Sequence, residues 1–282
     1  MAHQIIGIDH VLVAVKNLTA VGQTFARLGF AVSPEGHHAE WGTTNRCLMF
    51  ERDYVELIAA SADGSGARRV AAHLAERGEG LMGIALGIRD AQSAYESLQR
   101  SGIAALPPTP LARSLMTPDG EVTLQFSVVN LPDEPLPGLP IFLCQHLTPD
   151  LLRRPEWLAH SNGAKSIVSL TVLAECPEAL MGTYNRIFGP AASTPTDELV
   201  TVHSGHGLVY LVTNDGFGDL HPDSDLALPQ TPALVLLTIG VDDLDRTAAF
   251  LFANGVKGGR KGDHLTVDPE DSLGVGLEFV QL

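Results

Sequence analysis

The sequence predicts an α+β fold of four tandem βαβββ units, paired into two domains with curved mixed sheets. Three observations carry this reading. A strand–helix–glycine–strand order recurs four times, the spacing within each recurrence is nearly constant, and a proline-rich break lies near the middle of the chain.

The first unit opens with an apolar strand over residues 7–15 that holds one histidine, His10. Leu18, Val21, Phe25 and Leu28 then form the apolar stripe of an amphipathic helix, and Gly29 closes it. Residues 30–33 read as a short strand and Pro34-Glu35-Gly36 as a turn. Residues 42–50 and 53–60 read as two strands around a tight turn at Glu51-Arg52, and the second strand carries Glu56. Burying a charge on an apolar strand is costly unless something pairs with it, so His10 and Glu56 invite the question of whether they meet.

The order returns with strand 81–88, helix 91–99, Gly102 and a last strand over 122–129. A third copy has 166–173, 177–188, Gly189 and 207–212, and a fourth has 233–241, 243–253, Gly255 and 275–280. From first-strand position to helix-ending glycine the distances are 29 − 10 = 19, 102 − 83 = 19, 189 − 169 = 20 and 255 − 236 = 19. To the matching last-strand positions Glu56, Gln125, Tyr210 and Glu278 they are 46, 42, 41 and 42. Four prolines in 132–140 read as a linker, and 214–232 as a second loop. The expected domains are 1–131 and 165–282, with 132–164 as linker and interdomain segment.

The chain has 282 residues, enough for two ordinary domains, and 45% hydrophobic with 18% charged residues is a globular composition. Its charge of 18 − 33 = −15 opposes phosphate backbones and anionic lipid, so neither nucleic acid nor a membrane surface is an expected partner. Cys47, Cys144 and Cys176 are widely spaced and form no CxxC pattern, as in a reducing compartment. The N-terminus lacks the basic and apolar regions of a signal peptide, and no apolar run is long enough to span a membrane, so a cytoplasmic protein is expected. No GxGxxG after a strand, P-loop or GxSxG occurs, which removes support for nucleotide-dependent and serine-hydrolase chemistry.

Tandem βαβββ units with a histidine in the first strand and a glutamate in the last resemble the vicinal oxygen chelate superfamily. More narrowly, Ile8-Asp9-His10, then His38-Ala39-Glu40-Trp41-Gly42-Thr43-Thr44-Asn45, then Tyr54-Val55-Glu56-Leu57-Ile58 is similar to its glyoxalase-like proteins. The resemblance implies a cup formed by two units, with a divalent metal (Fe, Mn, Ni or Zn) held by His10, Glu56 and a ligand from the partner unit. The matching positions there are Gly83 and Gln125, a departure from the family pattern. In the second domain only Glu278 matches, since Ser169 and Leu236 stand where ring-cleaving dioxygenases place histidines. That domain is expected to be structural or dimer-forming, which makes a homodimer possible.

The stretch from Pro140 to Pro149 reads as a strand past the linker, and it resembles the same proteins. It offers His146 as the missing third ligand and Gln145 as a substrate contact, with His160 further on. Around Glu56, strand alternation places Asn45 and Cys47 on the face of Tyr54 and Glu56. Trp41, Thr43, Asn45, Tyr54 and Gln125 are the other candidate substrate contacts, and Glu56 with His38 the candidate proton carriers. His38 itself is expected in a connection rather than on a strand. The expected function is a metal-dependent lyase, isomerase or oxygenase acting on a small oxygen-bearing substrate. The alternative is a metal-free binding protein of the bleomycin-resistance kind, in which Trp41, Tyr54 and Phe126 matter most.

Overall fold

A computed structural model describes residues 2–131, 136–222 and 224–282. Four βαβββ units are present, as the spacings imply. The first is β1 (Ile5–Ala14), α1 (Leu18–Arg27), β2 (Gly36–His38), β3 (Thr43–Met49) and β4 (Tyr54–Ala60). A surface helix, α2 (Ser65–Glu76), leads to the second unit. That unit is β5 (Gly80–Ile88), α3 (Ala91–Arg100), β6 (Thr109–Thr117), β7 (Gly120–Asn130) and β8 (Ile141–His146). Two single-turn helices, α4 (Pro149–Leu152) and α5 (Pro155–Leu158), precede the third: β9 (Ala164–Leu173), α6 (Pro177–Phe188), β10 (Ser193–Pro195), β11 (Leu199–His203) and β12 (Leu208–Val212). After α7 (Asn214–Leu220), the fourth has β13 (Ala233–Val241), α8 (Leu244–Ala253), β14 (Arg260–Lys261), β15 (His264–Val267) and β16 (Gly276–Gln281).

In every unit the first strand pairs in parallel with the last, and the first strands of paired units run antiparallel. Units one and two thereby close a barrel in the order β1-β4-β3-β2-β6-β7-β8-β5. Units three and four form an open sheet of eight strands, β10-β11-β12-β9-β13-β16-β15-β14. The first strands are buried on both faces, which explains their unbroken apolar runs. From β1, Ile8, Val11 and Val13 pack outward into a core shared with α1, α3, α6 and α8, while Leu12 and Ala14 point into the barrel. Asn17, Asp90 and Asp243 cap α1, α3 and α8 with their side-chain oxygens, which places each helix start one turn after its strand.

Several expectations need correction. The short strand of unit one is Gly36–His38, not 30–33, where Val32 makes only an isolated bridge to Leu48. His38 is therefore a barrel residue and not a loop residue. The strand β6 escaped the periodicity because Pro110 and Arg113 interrupt its apolar residues. The expected loop 214–232 begins with helix α7. The expected linker lies partly outside the described residues, at 132–135, and beyond it Ile141–His146 is a strand of the first barrel. It pairs with β5 in parallel and with β7 antiparallel, so the last strand of unit two is β8 and not β7.

The two domains are stitched by buried polar contacts. Asp53 Oδ1 accepts a hydrogen bond from the Ile167 amide at 2.9 Å, and Ile8 donates its amide to the His206 carbonyl at 3.1 Å. Burial lifts the Asp53 carboxyl to about 7, against the pull of that amide and of Arg153 and Arg52. The folded protein thus holds a proton that the unfolded chain releases. Stability from this group is complete below the ordinary carboxylate range and is lost as pH rises through about 7.

Asp53→Asn is accordingly expected to raise the melting temperature at about pH 8 and to leave it nearly unchanged at about pH 4, as calorimetry will show. Leu143, fully buried on β8, contacts the shared core, and Leu143→Ala is expected to cost about 2–5 kcal/mol in denaturant unfolding.

Candidate functional site in the first barrel

A β-bulge builds the site. Along β1, Ile8 pairs with Leu86 and His10 with Ala85, so Asp9 is the extra residue. Strict alternation would place Asp9 and His10 on opposite faces. The bulge lets the Asp9 carboxylate reach the imidazole beside it, with Oδ2 at 2.7 Å from His10 Nδ1. The same oxygen lies 2.8 Å from His146 Nε2, and Oδ1 is 3.9 Å from the Arg153 guanidinium. Burial alone would raise the Asp9 pKa, but His146 and His10 outweigh it and hold the carboxyl far below its usual range. An ionised carboxylate only accepts, so both histidines donate to Asp9, and His10 carries a proton on Nδ1.

The other ring nitrogen, His10 Nε2, faces Glu56 Oε2 at 3.3 Å. Glu56 is buried on β4, and Asn45 Nδ2 donates to its Oε1 in a short hydrogen bond. Burial would raise the Glu56 pKa; His10, His38, Asn45 and Arg113 reverse this and lower it. Tyr54 stacks on the His10 ring with centroids 4.4 Å apart, and Phe142 meets its edge at 5.6 Å. His38 Nδ1 shares a hydrogen bond with Thr43 Oγ1 at 3.2 Å, and burial depresses its pKa to about 4. His38 is therefore neutral at physiological pH.

These groups enclose a cavity of about 20 Å³, the room one water needs. His10, His38, Trp41, Asn45, Tyr54, Glu56 and Arg113 are among its walls. A groove of about 690 Å³ adjoins it along α2 and β5, and Leu12, Trp41, Ile58 and Phe142 line both spaces. A molecule held in the groove meets the barrel interior through these four residues.

Of the candidates from the sequence, His10, His38, Trp41, Asn45, Tyr54 and Glu56 come together, and Asn45 and Cys47 share the face of Tyr54 and Glu56 across β3 and β4. Thr43 supports His38 from behind. Four others are placed elsewhere. Gln125 is exposed on β7. Gln145 accepts the Ala91 amide and caps the start of α3. His160 is a buried strut whose Nδ1 accepts from the Ala31 amide while Nε2 donates to the Met49 carbonyl. His146 spends its Nε2 on Asp9 instead of joining His10 and Glu56.

Asp9, Arg113 and Phe142 were not anticipated. Asp9 hid behind the period-two rule that the bulge breaks. Arg113 sits on β6, which the sequence pattern did not resolve, and Phe142 on β8, which it read as a strand past the linker and not as part of unit two. Strand register identifies the counterparts across the pseudo-twofold axis. His10 pairs with Ala85 and Gly83 with Leu12, so Gly83 matches His10. Glu56 pairs with Leu12 and Phe142 with Ala85, so Phe142, and not Gln125, matches Glu56.

The metal implied by the superfamily does not fit this donor set. Two of the four strand positions hold His10 and Glu56; the others hold a glycine and a phenylalanine. Among the described residues no further His, Cys, Asp or Glu atom clusters with this pair, while the cationic Arg113 lines the same small cavity. Ligand-type clusters occur at Asp9, Cys144 and His146, and in the second domain at His221, His264 and Glu278. In the latter, His221 Nδ1 and His264 Nδ1 lie 3.0 and 2.9 Å from the Glu278 carboxylate, and Thr171 Oγ1 lies 2.7 Å from His221 Nε2. The histidines come from the end of α7 and from β15, not from first strands.

Comparison with known proteins agrees with this architecture. The family profile described as Glyoxalase-like domain matches residues 8–188, more than half of the chain. The chain belongs to this glyoxalase-like family. A hypothetical protein from Staphylococcus aureus superposes with a TM-score of 0.69 at 12% identity, covering 98% of this chain and 99% of that one. A triple mutant of 4-hydroxymandelate synthase from Streptomyces coelicolor gives 0.60 at 14% identity, over 100% of this chain and 93% of that one. A fusion of a xylose isomerase-like TIM barrel with 4-hydroxyphenylpyruvate dioxygenase gives 0.59 at 16%, over 100% of this chain and 50% of that one. At these identities the likeness is one of fold. A search of curated proteins returns no match. The glyoxalase-like match begins at Ile8 within β1, takes in the rest of the first barrel and ends with α6. No helix among the described residues is long and apolar enough to cross a membrane.

His38 gives a direct check on the electrostatics of this glyoxalase-like barrel. Its imidazole signals in nitrogen-15 NMR are expected to stay those of a neutral ring from about pH 8 to pH 5.5, below the usual histidine midpoint.

Proposed function

We propose that the chain is an enzyme of the isomerase or lyase type whose first barrel moves a proton on a small oxygen-bearing substrate. The observation that supports this most is the buried chain Asp9–His10–Glu56, whose far end opens into a cavity adjoining the groove. Keeping two ionised carboxylates inside an apolar barrel is costly, and such arrangements concentrate where proton transfer is needed. Asp9 fixes the His10 tautomer, so Nε2 is the working nitrogen, and it faces the Glu56 carboxylate. Glu56 and His10 form a couple in which a proton taken by one can pass to the other. His38, neutral and beside them, adds polarity without charge. The groove supplies the space for the body of the substrate, and Trp41 and Phe142 orient it at the barrel mouth.

A second reading has support from one feature. The groove is far larger than the cavity, and aromatic and aliphatic residues dominate its junction with the barrel, as in a protein that sequesters an apolar compound.

Proton transfer is tested without a known substrate by incubating a panel of small carbonyl and hydroxy compounds with the protein in heavy water and following C–H loss by proton NMR. Wild type is expected to exchange at least one compound, with Glu56→Gln and His10→Gln slower by about 10²- to 10⁴-fold. Binding of a panel member without exchange or conversion, unchanged in both variants, would instead establish the sequestering role.

A further inference from the structure

We propose that Arg113 carries, in this barrel, the positive charge that a divalent ion supplies elsewhere in the superfamily, so that the site binds an oxyanion without metal. The inference rests on the proton-transfer reading above and names its substrate class: a carbonyl compound with an acidic neighbouring C–H, converted through an enolate.

Four observations converge. First, the strand positions opposite His10 and Glu56 are Gly83 and Phe142, so half of the ligand set is missing. Second, Arg113 is 2% exposed yet makes no ion pair within 4 Å among the described residues, and its Nε has no hydrogen-bond partner. Buried guanidinium groups are almost always paired, so an unengaged donor at a cavity wall marks a place for a ligand. Third, Asn45 presents a second unsatisfied atom, Oδ1, to the same region, while its Nδ2 holds Glu56. Fourth, the chain clears room for this guanidinium. A Cβ on Gly36 would lie 2.2 Å from Arg113 Nε and 2.7 Å from Asn45 Oδ1, so only glycine fits there.

Size makes the geometry restrictive. A cavity of about 20 Å³ admits one oxygen-sized group, and any such group touches walls that include Arg113, His10 and Glu56 together. Around Arg113 lie Cys47, which hydrogen-bonds the guanidinium, together with Tyr54, His38 and the Glu56 carboxylate, so the Nε is the donor left without a partner. Glu56 disfavours a substrate that arrives with an anionic oxygen at this spot. A neutral carbonyl is admitted, and its charge develops only during reaction. The C–H bond breaks, its proton goes to Glu56, and the electron pair moves to the carbonyl oxygen beside Arg113. The negative charge thereby leaves the carboxylate and reappears where the guanidinium faces it. Return of a proton to the same carbon restores the carbonyl, with its hydrogen exchanged or its configuration inverted, and with no net oxidant or reductant.

The test uses the full chain and two probes, sodium formate as the small oxyanion and formamide as its neutral counterpart. Glu56→Gln stands in for the protonated carboxyl that exists after the substrate proton is accepted. Binding to this variant at about pH 7, where formate is the anion, is followed by titration calorimetry, and the Arg113 variants are compared in the same background. Formate is expected to bind saturably and formamide to bind weakly. Arg113→Gln should weaken formate about 10-fold or more, with Arg113→Lys keeping part of the affinity. Circular dichroism confirms folding, and if Arg113→Gln does not fold, Arg113→Lys and Gly36→Ala carry the comparison. Elemental analysis of protein purified without chelator is expected to give the same metal content in wild type and His10→Ala. Formate binding unchanged in the Arg113 variants overturns the proposal, as does a stoichiometric metal that His10→Ala removes. Neither readout requires turnover, so failure here is separable from failure of the proton-exchange assay.

Discussion

The pairing of Asp9 with His10 is the constraint on which the first barrel turns. An ionised carboxylate inside an apolar barrel demands compensation, and His10, His146 and Arg153 provide it from β1, β8 and the segment after α4. Because these partners lie on separate parts of the chain, the carboxylate ties β1 to β8 and fixes the face of the imidazole. The stacking of Tyr54 on that imidazole then sets the line of β4, and with it the position of Glu56.

The fold was legible because its cause is local. Apolar strands, helix stripes and closing glycines recur at a near-constant interval, and each reports a backbone requirement that the sequence cannot avoid. His10 and Glu56 were legible for a related reason, since ionisable residues stand out on strands that are otherwise apolar. Asn45 and Tyr54 followed from alternation around Glu56, and Trp41 from the resemblance carried by residues 38–45.

What the sequence concealed has identifiable physical causes. A bulge changes the phase of a strand without changing its composition, so Asp9 looked as if it belonged to the opposite face. Arg113 belongs to a strand whose apolar pattern is interrupted by Pro110 and by the arginine itself. The interruption that hid the strand is the functional feature of that strand. Phe142 lay past a run of prolines that resembled a boundary, though the chain returns there to complete the first barrel. Gln145 and His160 are polar residues with structural work to do, one capping a helix and the other bridging the Ala31 amide and the Met49 carbonyl, and composition does not separate that use from catalysis.

The placement of β8 has a consequence for how the protein is made. It enters between β5 and β7, two strands completed before residue 131, and residues 141–146 are the last of the barrel to leave the ribosome. Until then both neighbours present open edges, which favour pairing with other chains. The nascent first domain therefore passes through a period in which seven strands are available and the eighth is not. Rapid delivery of the segment after the prolines protects the chain during its own synthesis, and slowing translation there is a route to aggregation that no property of the finished barrel reveals.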